Sequence, residues 1–350
     1  MIKDLEKLKN IIDKSRIHFY KPIQIAEILH RYRVGNLNSL KKHEEIRKDS
    51  KKWRDLITLR FINSKCSSSA KFQDDLFSKT AVPFDVLERL GDFNNTNNGI
   101  LEAYVYERFL QKHSQLKNAL QVSKDKNFNV KEFVNSFTEE SGLKRSTDKI
   151  YEIIIFALFE TLVTFFEVQQ KVYVVNHQSE LLEEFAEFVN LVLGLNAEND
   201  FQIVGSAHFF RAGITNAADR GIDLYANSGH VVQVKHVDLD SNVLSGIGNS
   251  VSSNKIIIIC KSYQKDTIVK LLSQIGFGDR IHSIITFNQI YEWYESAFNG
   301  NYSKELSTKI LNTIQEQIIL EFPIIENNDF DSFFIERGYD QLDTAELKFK

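Results

Sequence analysis

Three polar residues, Asp223, Gln233 and Lys235, are spaced so that one β-hairpin would bring them together. Two apolar, β-rich segments flank the sequence Asn-Ser-Gly at 227–229, a pattern typical of a hairpin turn. Side chains alternate faces along a strand, so Gln233 and Lys235 project together, and a three-residue loop places Asp223 opposite Gln233. A four-residue loop would shift the register and turn Asp223 to the other face.

An acid, an amide and a lysine in one place suit metal-dependent phosphodiester hydrolysis. That reaction needs a divalent ion, an activated water and stabilisation of negative charge on the phosphate. Mg²⁺ prefers oxygen ligands, so we expect Asp223 as the primary ligand, with the Gln233 amide oxygen and the Val234 carbonyl as further donors. Lys235 is expected to orient or help deprotonate the attacking water and to stabilise phosphate charge. The competing interpretation is an ordinary exposed hairpin.

A second carboxylate is expected from the helix that precedes the sheet. This helix, residues 179–193, carries Glu180, Glu183, Glu184 and Glu187. Glu183 lies beside the apolar stripe of the helix rather than opposite it, so we select Glu183 as the second acidic ligand. The alternative is that all four glutamates only solvate the outer face of the helix.

Length and composition limit the classes of protein. A chain of 350 residues is long enough for two domains, and its net charge of -4 argues against an indiscriminate binder of polyanions without excluding DNA. Cys66 and Cys260 are too few and too far apart for a disulfide framework or a zinc site. The N-terminus lacks a signal-peptide pattern, and the most apolar run is interrupted by Glu160. We therefore expect a cytoplasmic protein without a membrane span.

The first 170 residues have apolar positions at helical spacing. Helices are predicted at 5–12, 23–32, 101–109 and 148–170, with loops at 67–69 and 94–99. The last of these helices is apolar nearly all round, which predicts that it is buried.

From residue 172 onward the pattern alternates between helix and strand. The predicted order is helix 179–193 ending at Gly194, strand 201–210, the hairpin, helix 240–251, strand 255–260, helix 265–275, strand 281–287 and helix 288–298. An antiparallel meander joined to crossover strands makes a mixed central sheet flanked by helices. The fold class is therefore α/β (α+β), with a mostly helical N-terminal domain.

The segment 179–294 resembles the PD-(D/E)xK nuclease superfamily in its order of elements and in the spacing of Asp223, Gln233 and Lys235. The glutamine in place of the usual acid is similar to Mrr-like restriction enzymes, whose Asp-Gly-Gly-Ile-Asp resembles residues 219–223. The sequence Phe-Phe-Arg-Ala-Gly-Ile-Thr-Asn-Ala-Ala-Asp-Arg-Gly at 209–221 resembles the HaeII family of type II restriction endonucleases.

The resemblance implies Mg²⁺-dependent, site-specific cleavage of double-stranded DNA in host defence. It implies that Asp223 and Glu183 are acidic ligands, that Gln233 takes the usual acid position and that Lys235 is the catalytic lysine. Two departures matter: Ile222 stands where the superfamily has proline, and neutral Gln233 lowers the ligand charge.

The resemblance also divides the chain by role. It assigns residues 1–170 to specificity and dimerisation, 171–300 to the PD-(D/E)xK-like nuclease core, and 301–350 to a C-terminal helix and tail. It implies a homodimer, because a palindromic site is matched by a twofold protein, and a cognate DNA methyltransferase as genetic partner. The candidate DNA contacts are Arg211, Asn216, Arg220, Lys51 and Arg54. The last two lie in a basic stretch, 41–60, that a solvated helix face explains equally well.

Two other functions stay open. One is an Mrr-like nuclease for modified or branched DNA. The other is a catalytically weak DNA-binding protein that keeps a nuclease fold but has lost turnover through Gln233.

Overall fold

Helices dominate the first part of the chain, and strands alternate with helices in the second, as the residue patterns predict. The computed structural model describes residues 1–15, 18–66, 69–122, 128–139, 143, 146–176, 178–212, 222–250, 253, 255–263, 268, 272, 279–322 and 329–347. Two compact units divide the chain, residues 1–150 with 315–350 and residues 151–314. These limits differ from the predicted divisions at 170 and 300, because the C-terminal residues pack with the first unit.

Before the first strand, the described residues form α1 (Ile2–Asp13), α2 (Tyr20–Arg33), α3 (His43–Ile62), α4 (Ala70–Leu76), α5 (Phe84–Thr96), α6 (Ile100–Val122), α7 (Val130–Glu139) and α8 (Thr147–Phe165). The helices predicted at 5–12, 23–32 and 101–109 lie within α1, α2 and α6 and are confirmed. In the part of the chain that the structure describes, no helix is long and apolar enough to cross a membrane.

The loop predicted at 94–99 is shorter than expected, because α5 continues through Thr96. Asn94 is buried, and its amide donates to Glu102 at 2.5 Å and accepts the Leu101 N–H at 3.1 Å. Because both polar atoms of its amide are hydrogen-bonded, Asn94 can be buried in the helix, and the turn is confined to residues 97–99. Gly99, with φ of +94°, supplies the left-handed residue that the turn requires.

Glu102 is a buried carboxylate at the centre of the first unit. Arg33 donates two hydrogen bonds to it at 2.9 Å, and the Tyr339 hydroxyl donates another at 2.8 Å. Burial alone would raise the pKa of Glu102, but the hydrogen bonds from Arg33, His30 and Asn94 outweigh it and lower this pKa to about 2. Tyr339 thereby connects the C-terminal residues to α2 and α6.

The second part of the chain continues with β1 (Gln169–Tyr173), α9 (Ser179–Glu184), α10 (Ala186–Leu193), β2 (Gln202–Ser206), β3 (Phe209–Arg211), β4 (Leu224–Ala226), β5 (Val231–Lys235), α11 (Ser241–Ser250), β6 (Ile256–Cys260), β7 (Ile281–Thr286), α12 (Phe287–Asn299), α13 (Ser303–Glu321) and α14 (Phe330–Arg337). The helix predicted at 265–275 lies mostly outside the described residues.

Three predicted elements have different bounds. Helix α8 ends at Phe165 rather than near 170, because Glu167 adopts a left-handed conformation (φ +52°) and the chain then enters β1. The helix predicted at 179–193 is interrupted at Phe185, and it ends at Gly194 as predicted. The strand predicted at 201–210 is two strands, because β2 pairs with β1 whereas β3 pairs with β4.

A five-stranded sheet has the order β3-β4-β5-β6-β7. The pairs β3–β4 and β4–β5 are antiparallel, and β5–β6 and β6–β7 are parallel. The predicted mixed sheet, and with it the α+β class, is confirmed.

Helices cover this sheet on both faces. The ring of Phe159 on α8 packs against Phe209 of β3 and Trp293 of α12, and the Tyr294 hydroxyl donates to the Ile154 carbonyl at 2.8 Å. Elsewhere, Leu244 and Ile247 of α11 form a core with Ile256, Ile258 and Cys260 of β6. Helix α8 and strands β3–β6 therefore hold the hairpin in a fixed frame.

Candidate active site

The predicted hairpin is present, and its loop has three residues, 227–229. The Ala226 N–H donates to the His230 carbonyl at 2.7 Å, and the Gly229 N–H donates to the Ala226 carbonyl at 2.9 Å. Gly229 has φ of +86°, the left-handed conformation that closes three-residue hairpin loops. The predicted convergence of Asp223 with Gln233 requires a three-residue loop, and this loop length is confirmed.

Asp223 lies directly before β4, at the end of the paired part of the hairpin. The last pair of this ladder is Leu224 with Val232. The Asp223 N–H donates to the Val232 carbonyl at 3.0 Å, and the Asp223 carbonyl accepts the Ala212 N–H at 2.9 Å. Both neighbouring strands thus hold the main chain of Asp223.

The side chain of Asp223 is bonded to strand β5. Its Oδ2 accepts the main-chain N–H of Val234 at 2.7 Å, a hydrogen bond strengthened by the charge of the acceptor. In an extended strand the N–H and C=O of one residue point to the same side, so the Val234 carbonyl also faces Asp223. The Asp223 carboxylate and the Val234 main-chain carbonyl therefore lie on the same side of β5.

Gln233 and Lys235 lie on either side of that contact. Gln233 is only 3% exposed and Lys235 is half-buried, and in the parallel ladder they lie beside Ile258 and Cys260 of β6. Burial raises the pKa of the Cys260 thiol to about 11, so this thiol is neutral near pH 7.

Glu183, the predicted second acid, is on α9, where no residue is buried. Its side chain is exposed, as are those of Glu180, Glu184 and Glu187. The contacts recorded for the described residues do not connect any of the four to Asp223. The tertiary structure thus brings Asp223, Gln233, Val234 and Lys235 together without showing Glu183 beside them.

Another buried carboxylate, Glu152, lies on α8 and pairs with β3. It is 6% exposed and its Oε2 is 3.7 Å from Nη2 of Arg211, whose side chain is 7% exposed. Arg211 ends β3 opposite Leu224, one residue before Ala212, which bonds to the Asp223 carbonyl. Arg211 is therefore adjacent in the chain to the residue that bonds to Asp223.

Sequence reasoning overlooked Glu152, although a signal was present. Glu152 is an acid followed directly by Ile153, Ile154 and Ile155 in an apolar helix, and a buried charge of this kind needs a partner. The same pairing changes the interpretation of Arg211. Arg211 is a candidate DNA contact by residue type, but its side chain is buried against Glu152.

The other predicted DNA contacts have different outcomes. Arg54 is fully buried, and its guanidinium donates to Asp55, Gln24 and the Cys66 carbonyl, so the structure does not place it where DNA could reach it. Lys51 is half-buried on α3. Asn216 and Arg220 lie within 213–221, outside the described residues.

The oxygen donors at the hairpin fit Mg²⁺, which takes hard oxygen ligands and keeps several waters. They comprise one carboxylate, one amide oxygen and one main-chain carbonyl. In the described residues there is no cluster of three or more His, Cys, Asp or Glu side chains that could hold a metal.

The chain was compared with known proteins. The sequence model of the HaeII restriction endonuclease matches residues 4–339. The chain is 43% identical to the type II restriction enzyme HaeII of Haemophilus aegyptius and 40% identical to the type II restriction enzyme NgoBI of Neisseria gonorrhoeae, with 96% of each chain covered in both comparisons. No solved structure matches the chain. The chain therefore belongs to the HaeII restriction endonuclease family.

Proposed function

We propose that this protein is a type II restriction endonuclease that uses Mg²⁺ to hydrolyse double-stranded DNA at the hairpin between Asp223 and Lys235. Membership of the family over nearly the whole chain supports the restriction endonuclease activity. The observation that carries the position of the site is the hydrogen bond from the Val234 N–H to the Asp223 carboxylate. It joins the acid to the strand that bears Gln233 and Lys235.

Asp223, Gln233 and Val234 would hold the Mg²⁺ ion through the carboxylate, the amide oxygen and the main-chain carbonyl. The bound ion would supply Lewis-acid stabilisation of the phosphate and a more acidic water. The role of the chain is to fix these donors, and the parallel ladder from β5 to β6 does so for Gln233 and Val234. The site is thus of the PD-(D/E)xK type, with glutamine in the second acidic position.

Lys235 would act on the water and the phosphate. Its ammonium group would donate one hydrogen bond to the attacking water, which orients the water. It would donate another to a non-bridging phosphate oxygen, which stabilises negative charge on the phosphate. Its position at the end of β5, half-buried beside Cys260, keeps the ammonium group near solvent, where a DNA backbone can approach.

Two glutamates compete for the role of second acid. Glu183 has the position that the superfamily resemblance implies, in a helix before the sheet. Glu152 is buried and forms an ion pair with Arg211, but the Arg211 side chain shares the sheet face of its strand partner Leu224, opposite to the face of Gln233 and Lys235. Because α8 also precedes the sheet, Glu152 satisfies the same order of elements.

The remaining assignments follow from the function. Lys51, Asn216 and Arg220 are proposed to contact DNA, and the protein is proposed to be a homodimer that matches a palindromic site. A methyltransferase of the same specificity would protect host DNA, and the place of action would be the cytoplasm, where invading DNA arrives.

The test is to incubate the purified protein with unmethylated phage DNA and Mg²⁺ and to separate the products on a gel. Discrete bands that disappear with a chelator would support site-specific, metal-dependent cleavage, with Asp223→Ala as the inactive control. A smear would indicate a nonspecific nuclease. DNA binding without cleavage in either Mg²⁺ or Mn²⁺ would contradict the enzyme and leave a DNA-binding protein with a nuclease fold.

A further inference from the structure

The β5–β6 pairing continues beyond the ends of the two strands. The Lys261 N–H donates to the Val237 carbonyl at 3.0 Å, and the Leu239 N–H donates to the Ser262 carbonyl at 2.8 Å. Leu239 also forms a parallel bridge with Tyr263. We call this extension of the sheet the rim, which comprises residues 236–239 and 261–263. It begins directly after β5, so it borders the candidate active site.

The rim is anchored in the core by its apolar residues. Leu239 is buried in the cluster that α11 forms with β6, and Tyr263 packs against that cluster. Residues 236–238, 261 and 262 are exposed. A segment with buried apolar contacts and a paired main chain resists local opening, so the rim presents its exposed side chains from fixed positions.

The imidazole of His236 is oriented by an aromatic neighbour. Its ring lies nearly parallel to that of Tyr151 on α8, with an angle of 6° between the planes and 6.4 Å between the ring centroids. Tyr151 in turn packs against Phe287, the first residue of α12, at 4.3 Å between ring centroids. A side chain held in this way loses little rotamer entropy when it binds a ligand. His236 is thus both exposed and already oriented.

His236 and Lys261 lie side by side at the carboxyl ends of β5 and β6. Lys235 pairs with Cys260 in the parallel ladder, and His236 and Lys261 follow these two residues directly. The hydrogen bond from Lys261 to Val237 keeps the two chains adjacent at this level. Adjacent strands are about 4.8 Å apart, so one stretch of DNA backbone can reach both side chains.

The polar groups of the rim suit a phosphate backbone. A lysine ammonium group and a histidine ring N–H are donors, and most protein–DNA hydrogen bonds go to phosphate and sugar oxygens. The rim contains one acid, Asp238, and its Oδ1 accepts the hydroxyl of Ser262 at 2.6 Å. Lys235 and Lys261 outnumber this acid, although the whole chain has a net charge of -4.

The rim lies where a duplex passes when one of its phosphates is placed at Lys235. In open sheets with parallel strands, ligands bind outside the carboxyl ends of the strands. His236 leaves the sheet on the face covered by α8, opposite to the face of Lys235, so the two side chains suit different phosphates. Successive phosphates of one DNA strand are about 3.4 Å apart along the helix axis. Neighbouring phosphates therefore fall over the rim.

We propose that His236 and Lys261 bind the DNA backbone beside the scissile phosphate. The proposal rests on the proposed function, because it takes Lys235 to act at the scissile phosphate. Contacts of this kind fix the register of the duplex and carry no sequence information. These two residues thereby position the DNA, and the recognition of bases is left to other parts of the chain.

The test is to titrate a short DNA duplex of mixed sequence with the full chain, without divalent metal, and to follow fluorescence anisotropy at about 50–200 mM KCl. Lys261→Met removes one phosphate contact, so the slope of log K against log salt concentration should become shallower by about one. His236→Phe keeps a ring on Tyr151 but has no donor, and it should weaken binding about fivefold at every salt concentration.

Two residues towards the opposite, amino ends of the parallel strands serve as matched controls. Lys255 is exposed directly before β6, and His282 is exposed in β7. Both lie more than about 10 Å along the strands from the level of Lys235. Lys255→Met and His282→Phe should therefore keep the wild-type slope and affinity. Circular dichroism establishes that every variant is folded.

A shallower slope for Lys261→Met and weaker binding by His236→Phe, with both controls at wild-type values, would support the contact. A wild-type slope for Lys261→Met, or the same loss in Lys255→Met, would overturn it. If His236→Phe does not fold, His236→Ala provides the same measurement.

Binding without metal is measured independently of cleavage. If the variants behave as expected but the wild type cuts no DNA with Mg²⁺, only the nuclease proposal fails. If the wild type cuts DNA and Lys261→Met keeps the wild-type slope, only the backbone contact fails.

Discussion

The carboxylate of Asp223 accepts the main-chain N–H of Val234 at 2.7 Å. The acid is therefore held by the strand that carries Gln233 and Lys235. A hydrogen bond from the main chain survives any substitution at position 234 except proline. The site is thus positioned largely by the backbone of one hairpin.

Asp223→Asn should abolish cleavage and leave the fold intact. The amide oxygen of asparagine can still accept the Val234 N–H, so the hairpin keeps its geometry, but the ligand charge is lost. We expect kcat for cleavage of plasmid DNA to fall about 1,000-fold or more, with the unfolding midpoint in urea unchanged.

Lys235→Met should reduce kcat by a comparable factor, while the affinity for DNA stays within a few-fold of the wild-type value. An active Lys235→Met enzyme would refute the role of the lysine.

Gln233→Glu tests whether Gln233 occupies an acidic ligand position. A second carboxylate should strengthen metal binding, so the Mg²⁺ concentration for half-maximal cleavage should fall several-fold. Without metal, a carboxylate buried at this position should destabilise the protein by about 1–3 kcal/mol, and Mg²⁺ should restore the loss. Gln233→Leu is the control of similar size that offers no oxygen. If Gln233→Glu is destabilised equally with and without Mg²⁺, Gln233 is not a ligand.

Glu152→Gln and Glu183→Gln separate the two candidate second acids. If Glu152 serves the site, Glu152→Gln should lower kcat at least about 100-fold, and Glu183→Gln should stay within a factor of two, because Glu183 is exposed on α9. The reverse result would assign the role to Glu183.

Arg211→Met tests whether the effect of Glu152 on kcat comes only from its ion pair. This change removes the Arg211–Glu152 pair by replacing the arginine instead of the glutamate. Either single change leaves a buried group without its charged partner and should cost about 3 kcal/mol of stability. An equal loss of kcat in Glu152→Gln and Arg211→Met would make the pair structural.

Glu102 should make the first unit sensitive to acid. Its pKa is lowered from near 4.5 to about 2 in the folded protein, so the stability it contributes is present above the unfolded value and is lost as pH falls from about 4.5 towards 2. The full contribution is about 3 kcal/mol.

The measurement is urea unfolding between pH 6 and pH 3, followed by the fluorescence of Trp53 in a Trp293→Phe background. Glu102→Gln should be less stable at pH 6 and should lose less stability on acidification than the parent. Parallel pH profiles for the two proteins would show that another group controls the acid transition.

The hairpin, the sheet and the ends of several helices were predictable from sequence because they depend on neighbouring residues. Gly229 at the third loop position selects a three-residue turn, and that turn sets the pairing of Leu224 with Val232. The alternation of helix and strand after residue 172 likewise predicted the mixed sheet. In contrast, the helix predicted to reach residue 170 stops at Phe165, because the next residues pair with β2, a strand about 30 residues further along the chain.

Only the tertiary structure decided which charged residues are available at a surface. Arg54 and Arg211 both suit DNA by residue type, yet the side chain of each is buried and forms an ion pair with a carboxylate, Asp55 and Glu152 respectively. Whether a charge is buried depends on packing between elements that are distant in sequence, such as α8 against β3. The spacing of neighbouring residues in the sequence does not predict this packing. Sequence by itself determined the family and the hairpin, because these are properties of residue types at short separations, and it predicted the chemistry of Asp223, Gln233 and Lys235. The neighbours of those residues, and the rim beyond β5 and β6, were decided by the fold.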